Sequence, residues 1–485
     1  MKHLSWLAIL RLGLVQTALG AVVVLTTSTL NRVMKIELAL PALLPGLLVG
    51  LHSALQLSRP LWGHVADGSQ RRSRWIIVGM VILALGGTSA AHATAVMQDH
   101  LVTGVAYAIV AYTLVGFGVG AAGTSLLALL AARVAPGRRA AAASIVWLMM
   151  IAGFIVTTAV AGALLEPFSF TRLVEVCAGV SVAAVVVAGL ALVGVEGRAP
   201  AVEPSAGADR PSFREALAEV WADGQARAFT IFVFVAMLAY NTQDLILEPF
   251  AGAVFGLTPG ASTQLTSVQH SGVLLGMIVV ALAASEDIGP RIGSLKTWTV
   301  GGCVGSGLAL ALLATAGWWE ASPDVLRAAV ALLGFANGAF AVAAIGWMMA
   351  LAGAGRGRAK EGIRMGLWGG AQAIAFGLGA FVGTLGVDVV TLLTTSAATP
   401  YAAVFVAEGL TFLVAARLAA DMRFEVRSRP KGSQGAMAMF AASMSPEDAP
   451  LASPEPVPVR STIPPPRGAF SEEGVRHEPI HRRPL

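Results

Sequence analysis

The chain has 485 residues, of which 56% are hydrophobic and only 13% charged, with a mean hydropathy of +0.72. Soluble domains carry about 25% charge, so a water-soluble globule of this length could not cover its surface. Two cysteines rule out a disulfide scaffold, and the apolar content rules out fibrous and wholly disordered chains. The net charge of +5 matters through its placement along the chain rather than its size, and nucleic acid is not an expected partner. What remains is an all-α polytopic membrane protein.

Crossing about 30 Å of hydrocarbon takes about 20 apolar residues in a helix. Twelve runs meet this need: 7–30, 40–62, 75–96, 103–133, 140–164 and 172–195, then 229–250, 263–284, 295–316, 325–352, 363–387 and 399–420. The first follows a single lysine and has no small-residue cleavage site, so it reads as a retained span and not a signal peptide. The fourth is long enough to tilt or to project from the bilayer. Lys and Arg stay on the cytoplasmic side. With both termini inside, the outer loops hold only Arg32, Lys35, Arg172 and Arg327, while the rest fall in the tails, in inner loops or at inward helix ends. Cys177 and Cys303 lie inside apolar runs and read as small buried hydrophobes.

Four segments follow: an N-terminal six-helix bundle over 1–195, a polar linker over 196–228, a C-terminal six-helix bundle over 229–420, and a Pro-rich tail over 421–485. In the linker, Ser212 and Glu215 form a capping box. Phe213, Leu217, Val220 and Trp221 share one face of a short amphipathic helix. That face can pack along the inner membrane surface or hold a partner. Residues 430–485 contain 11 of the 24 prolines and read as a disordered cytoplasmic tail.

Six spans, an inner linker and six more spans resemble the major facilitator superfamily, whose halves are parallel repeats. His52 precedes Asp67 by fifteen residues, and His270 precedes Asp287 by seventeen, a faint internal echo. The inner loop after span two resembles that superfamily's signature: Gly63, Asp67 four residues on, then Arg71 and Arg72. Gly63 permits close helix approach. Asp67 can cap a neighbouring helix, and the two arginines can pair with facing acids or lipid phosphates. A plain positive-inside anchor is the alternative. Residues 285–291 are a degenerate second copy.

Ionisable and amide side chains within a span usually face the bundle interior. Here they include Arg11, Gln16, Asn31, His52, Gln56, Asn241, Gln243, Asp244, Glu248, Gln269, His270 and Glu408. Spans four and ten carry glycines in place of charges at mid-depth (Gly116, Gly118, Gly120 and Gly123, then Gly334 and Gly338), which argues against conventional proton coupling. His52 and His270, with Gln56 and Gln269 beside them, form a candidate pigment site, because a neutral imidazole can ligate the magnesium of a chlorin. A histidine hydrogen-bonded across helices is the competing reading. At the outer end of span seven, Pro249 is expected to end the helix. Asp244 and Glu248 share a face and need neutralising, by a proton, Arg32, Lys35 or a partner's cation. No metal-ligand spacing, phosphate loop or nucleophile motif appears, so no enzymatic activity is expected.

Several strings resemble the PucC/LhaA family, major-facilitator relatives that assist assembly of bacterial light-harvesting complexes. They are Arg11 to Gln16, Leu25 to Met34 with its Asn31-Arg32 pair, Glu37 to Pro41, and Gln243-Asp244 through Glu248-Pro249-Phe250 to Gly256. The resemblance covers about 4–420, and the compact turn from Asp67 to Ser73 is closer to the LhaA branch. It implies an assembly factor of the bacterial inner (intracytoplasmic) membrane. That factor would bind light-harvesting 1 antenna polypeptides and bacteriochlorophyll while the ring forms, with the reaction centre, pigment-synthesis proteins and membrane lipids as further partners. The alternative is a secondary transporter for a small metabolite or pigment precursor.

Overall fold

The computed structural model describes residues 4–58, 62, 72–135, 138–195, 221–283, 294–319, 322–354 and 358–422. Twelve helices account for almost all of them: α1 (Trp6–Glu37), α2 (Leu43–Leu55), α3 (Arg72–Val96), α4 (Leu101–Arg133), α5 (Arg139–Leu164) and α6 (Phe170–Leu192), then α7 (Gly224–Phe255), α8 (Pro259–Ala283), α9 (Leu295–Trp318), α10 (Pro323–Ala354), α11 (Arg358–Thr391) and α12 (Thr399–Asp421). Eleven are long and apolar enough to cross a bilayer. At 1.5 Å per residue, the 13 residues of α2 reach only about 20 Å, followed by a 3₁₀ turn over Gln56–Ser58. The expected inner loop after it (Gly63, Asp67 and Arg71), its copy at 285–291, the amphipathic helix up to residue 220 and the tail from 423 lie outside the described residues.

Two of the expected helix ends are wrong. α1 does not stop near residue 30 but runs to Glu37 through two π-helical segments, Leu25–Thr29 and Val33–Glu37. Arg32 and Lys35 are therefore helical, and Arg32 is buried rather than in an outer loop. Nor does Pro249 end α7. The helix passes through it and stops at Gly256, whose φ of +63° suits a residue without Cβ.

Helix starts and ends follow local chemistry. Ser5, Ser169, Asp223 and Ser294 cap α1, α6, α7 and α9 by accepting from backbone amides of the first turn. The last helix of each bundle ends against a cation. Arg11 donates to the carbonyls of Leu190 and Val193 at the end of α6, and Lys296 to those of Ala420 and Met422 at the end of α12. A cation at a helix C-terminus matches the dipole, which explains an arginine in the apolar first half of α1.

The two halves repeat one packing scheme. In the first half, α3 packs on α4 and α6, α1 on α5 and α6, and α2 on α4. In the second, α9 packs on α10 and α12, α7 on α11 and α12, and α8 on α10. Adding six to each number converts one set into the other. The bundles meet along two further seams related the same way, α2 with α11 and α5 with α8.

Small residues permit the closest crossings. Gly334 and Gly338 on α10 lie against the backbone carbonyls of Gln269 and Val273 on α8. Gly272 and Gly276 on α8 answer against those of Ala331 and Phe335. A side chain at any of these four would meet backbone, which cannot rotate away. Gly338→Leu is therefore expected to cost about 1–3 kcal/mol or more, read as a lower melting temperature in detergent. Gly301→Leu on α9, where a Cβ has nothing within 4 Å, should leave that temperature unchanged.

Candidate functional site

The polar residues singled out in α1 and α7 converge at one place. Ser28, Thr29, Asn31 and Arg32 share a face of α1, spaced by three and four residues. That face meets α7 and α8 across the junction of the two bundles. Ser28 donates to Glu248 Oε1 at 2.6 Å, and Thr266 of α8 donates to the same oxygen at 2.5 Å. Thr29 and Thr263 pair through their hydroxyls at 3.0 Å. Ser28, Thr29, Thr263, Thr266 and Glu248 are all buried.

Asn31 has the most specific partner. Proline lacks an amide hydrogen, so within α7 Pro249 cannot donate to the carbonyl of Leu245, four residues back. The Nδ2 group of Asn31 donates to that carbonyl. The first bundle thus supplies the hydrogen bond that the second bundle's proline removes. A buried carbonyl left without a partner would cost about 1–3 kcal/mol, so the proline and the asparagine belong together.

Arg32 is 2% exposed and satisfied twice, by Glu37 at 2.5 Å and by the carbonyl of Leu257 at 2.5 Å. Gly252 makes room for it, since a Cβ there would stand 3.1 Å from Nη2. Lys35 pairs with Asp388 of α11 at 3.0 Å. The same carboxylate accepts from the amides of Ala42 at 2.9 Å and Leu43 at 2.7 Å, capping α2 from the opposite bundle. On the far side, Thr258 before α8 donates to Glu166 after α5. This end of the molecule is therefore closed by contacts from α1, α2 and α5 to α7, α8 and α11.

The remaining expected residues divide. Asp244 and Glu248 do face the same neighbour. Glu248 is held by Thr266, and Asp244, half-buried, lies beside Gln269 one turn further along α8. Gln243 is wholly buried, and its amide has no hydrogen-bond partner among the described residues. Arg72 opens α3 and donates to the Ala128 carbonyl of α4 at 3.4 Å.

His52 and His270 lie on the corresponding helices α2 and α8, and His270 touches the opposite bundle. His52, on α2, is buried, and its Nε2 lies 3.2 Å from the amide of Gln56. His270, on α8, packs edge-on against Phe154 of α5 at 4.9 Å. Its Nδ1 lies 2.9 Å from the Thr266 carbonyl, and because a carbonyl only accepts, Nδ1 carries the proton. The neutral ring then keeps its lone pair on Nε2, which no described residue hydrogen-bonds. A backbone carbonyl behind the ring is the usual support for a metal-ligating histidine. His270 thus keeps a lone pair of the kind a chlorin magnesium would need; His52, with Nε2 engaged by Gln56, does not in this arrangement.

Sequence reasoning missed Thr263, Thr266 and Asp388. The first two were visible as a polar stripe on α8, with Gln269 and His270 three and four residues further on. Asp388, near the C-terminal end of α11, gave no such sign.

Residues 29–425 match the family model described as PUCC protein. The chain belongs to the PUCC family. It is 52% identical over 416 residues to the bacteriochlorophyll synthase 44.5 kDa chain of Rhodobacter capsulatus, covering 86% of this chain and 95% of that one. It is 30% identical to an uncharacterised protein from the puhA–bchM intergenic region of Rhodobacter capsulatus, with 84% and 88% covered. It is 29% identical to the Protein PucC of the same organism, with 85% and 92% covered. Among solved structures, a D-xylose–proton symporter superposes with a TM-score of 0.67 at 13% identity, over 87% of this chain and 99% of that one. A bacterial homologue of the human lysosomal transporter Spinster gives 0.64 at 15%, over 85% and 95%. The fold is that of the major facilitator superfamily, as the two-bundle layout implied.

If Asn31 serves the carbonyl that Pro249 exposes, the two are energetically coupled. Asn31→Ala alone should destabilise by about 1–3 kcal/mol. In a Pro249→Ala background, where the helix regains its own donor, the same change should cost at least about 0.5 kcal/mol less. Thermal or chemical unfolding of the four variants in detergent measures the cycle.

Proposed function

We propose that this PUCC-family protein is an assembly factor of the bacterial photosynthetic membrane. It holds light-harvesting 1 antenna polypeptides and bacteriochlorophyll while the ring closes around the reaction centre. It would lie in the inner (intracytoplasmic) membrane with both termini cytoplasmic, as the Lys and Arg distribution favours, and have contacts with pigment-synthesis proteins and membrane lipids. The observation that carries the reading is the use made of the two family strings. Asn31, Arg32 and Glu248 are spent on bonds between bundles, not displayed along an open route. Parting the bundles at this end would break the Ser28–Glu248, Asn31–Leu245 and Arg32–Leu257 hydrogen bonds and separate Lys35 from Asp388. Hydrogen bonds to charged groups contribute about 1.5–3 kcal/mol each, which together oppose a carrier that must open on each cycle.

Bacteriochlorophyll would be held by His270, through the Nε2 lone pair that the Thr266 carbonyl leaves to it, with Phe154 fixing the ring plane. The pigment would supply a magnesium centre that His270 would ligate, and the protein would orient it and keep water away. This role is non-enzymatic. The runner-up is a secondary transporter, favoured by the transporter structures that share the fold.

Protein purified in mild detergent from pigmented cells should retain bacteriochlorophyll and antenna polypeptides. His270→Leu should lose most of the pigment absorbance per protein, whereas His52→Leu should keep it. A preparation free of both pigment and antenna chains, together with substrate-driven flux in proteoliposomes, would decide for the transporter.

A further inference from the structure

Away from the inter-bundle contacts, a cavity of 240 Å³ lies between α7, α11 and α12. Its wall is almost wholly apolar, including Leu238, Val382, Val390 and Val404. Glu408 is part of that wall. Its residue is 3% exposed, and neither carboxyl oxygen has a hydrogen-bond partner among the described residues. The rim is formed by Ala403 and Ala407 of α12 and by Val382 of α11, all exposed. α12 packs on α7, α9 and α11 of its own bundle, so its exposed side faces the lipid. The cavity therefore opens sideways into the membrane.

A carboxyl group in apolar surroundings needs a partner. The protein gives Glu408 none among the described residues, and the only direction left open is the lipid phase. The volume exceeds the roughly 150 Å³ cavity that accepts a benzene and falls short of the roughly 300 Å³ at which pockets for whole ligands begin. It suits the end of a longer molecule whose remainder stays in the bilayer. A hydroxyl head satisfies the carboxyl in either of its forms, donating to the ion or accepting from the acid. An ammonium head would first have to give up its hydration to enter hydrocarbon.

The geometry points to a lateral binding site on the second bundle for a hydroxyl-terminated long-chain lipid, with Glu408 as the group that recognises the hydroxyl. Nothing in the inter-bundle contacts or in the His270 pigment site takes part. The site stands or falls independently of the assembly reading.

The test is photolabelling of the full-length protein in detergent, using a long-chain alcohol with a diazirine near its hydroxyl, followed by peptide mapping. Label should concentrate on α11 and α12, and the matching alkane probe should label on the order of tenfold less. Glu408→Leu should lose labelling to a similar degree, while Glu408→Gln, which still hydrogen-bonds, should retain most of it. Loss of Glu408 need not unfold the protein, because an apolar side chain suits the same surroundings, and the melting temperature of the variant checks this. Ala407→Trp keeps the carboxyl but fills the lipid-facing rim, and it should block labelling. Equal labelling of the wild type and Ala407→Trp, equal labelling by alcohol and alkane, or preferential labelling by a long-chain amine would each overturn the proposal.

Discussion

Everything at the junction of the bundles depends on one fact of the membrane interior: it contains no water to satisfy an unpaired backbone group. A proline inside a transmembrane helix opens one carbonyl, and some other group must fill the gap. In α7 that carbonyl belongs to Leu245, and the group is the amide of Asn31 from the opposite half of the chain. The local defect is thereby converted into a bond between bundles. Once α1 is drawn to α7 at this point, its neighbouring turn places Ser28 against Glu248 and Arg32 against the Leu257 carbonyl. The two π-helical segments lie on either side of Asn31. Such insertions are common where a helix must present side chains out of regular register.

The halves are alike in packing and unlike in chemistry. α2 meets α11 as α8 meets α5, as a repeat requires. Yet the first seam is made by Gly46 against Thr384 and by Asp388 capping α2, and the second by Ser267 bonding Ile155 and by His270 against Phe154. The histidines follow this divergence. They occupy corresponding helices, but His52 spends its Nε2 on Gln56, while His270 uses a backbone carbonyl on the other nitrogen and leaves Nε2 its lone pair. A shared fold thus leaves room for a site in one half without a counterpart in the other.

The span count and the two-bundle layout could be read from the sequence, because they rest on hydrophobic length. The bonds between the family strings could not, since Arg32 and Lys35 pair with Glu37 and Asp388 and not with Asp244 or Glu248. Helix ends were harder. Composition cannot show that α1 continues past residue 30, since the continuation depends on Arg32 finding Glu37 and Leu257, partners separated in sequence or made available only by the fold. Pro249 misled for a related reason. Proline normally ends a helix because its lost hydrogen bond is not replaced, and here the replacement comes from residue 31. Asp388 was invisible because its value lies in capping a helix more than three hundred residues away, a relation with no local pattern.

A carrier and a holder can share this scaffold, and what separates them is the free energy of parting the bundles. In a carrier the two closed states must lie within a few kcal/mol of one another. Here one end is joined by hydroxyl, amide and carboxylate contacts contributed by six helices, several of them buried, with a guanidinium that is 2% exposed among them. Hydrogen bonds to charged groups contribute about 1.5–3 kcal/mol each, and opening this end takes Glu248 from Ser28, Arg32 from the Leu257 carbonyl and Lys35 from Asp388. These bonds weigh toward the closed arrangement. Under the assembly role proposed above, a scaffold biased in that way would keep its lateral surfaces constant for cargo that arrives through the lipid rather than from the water on either side.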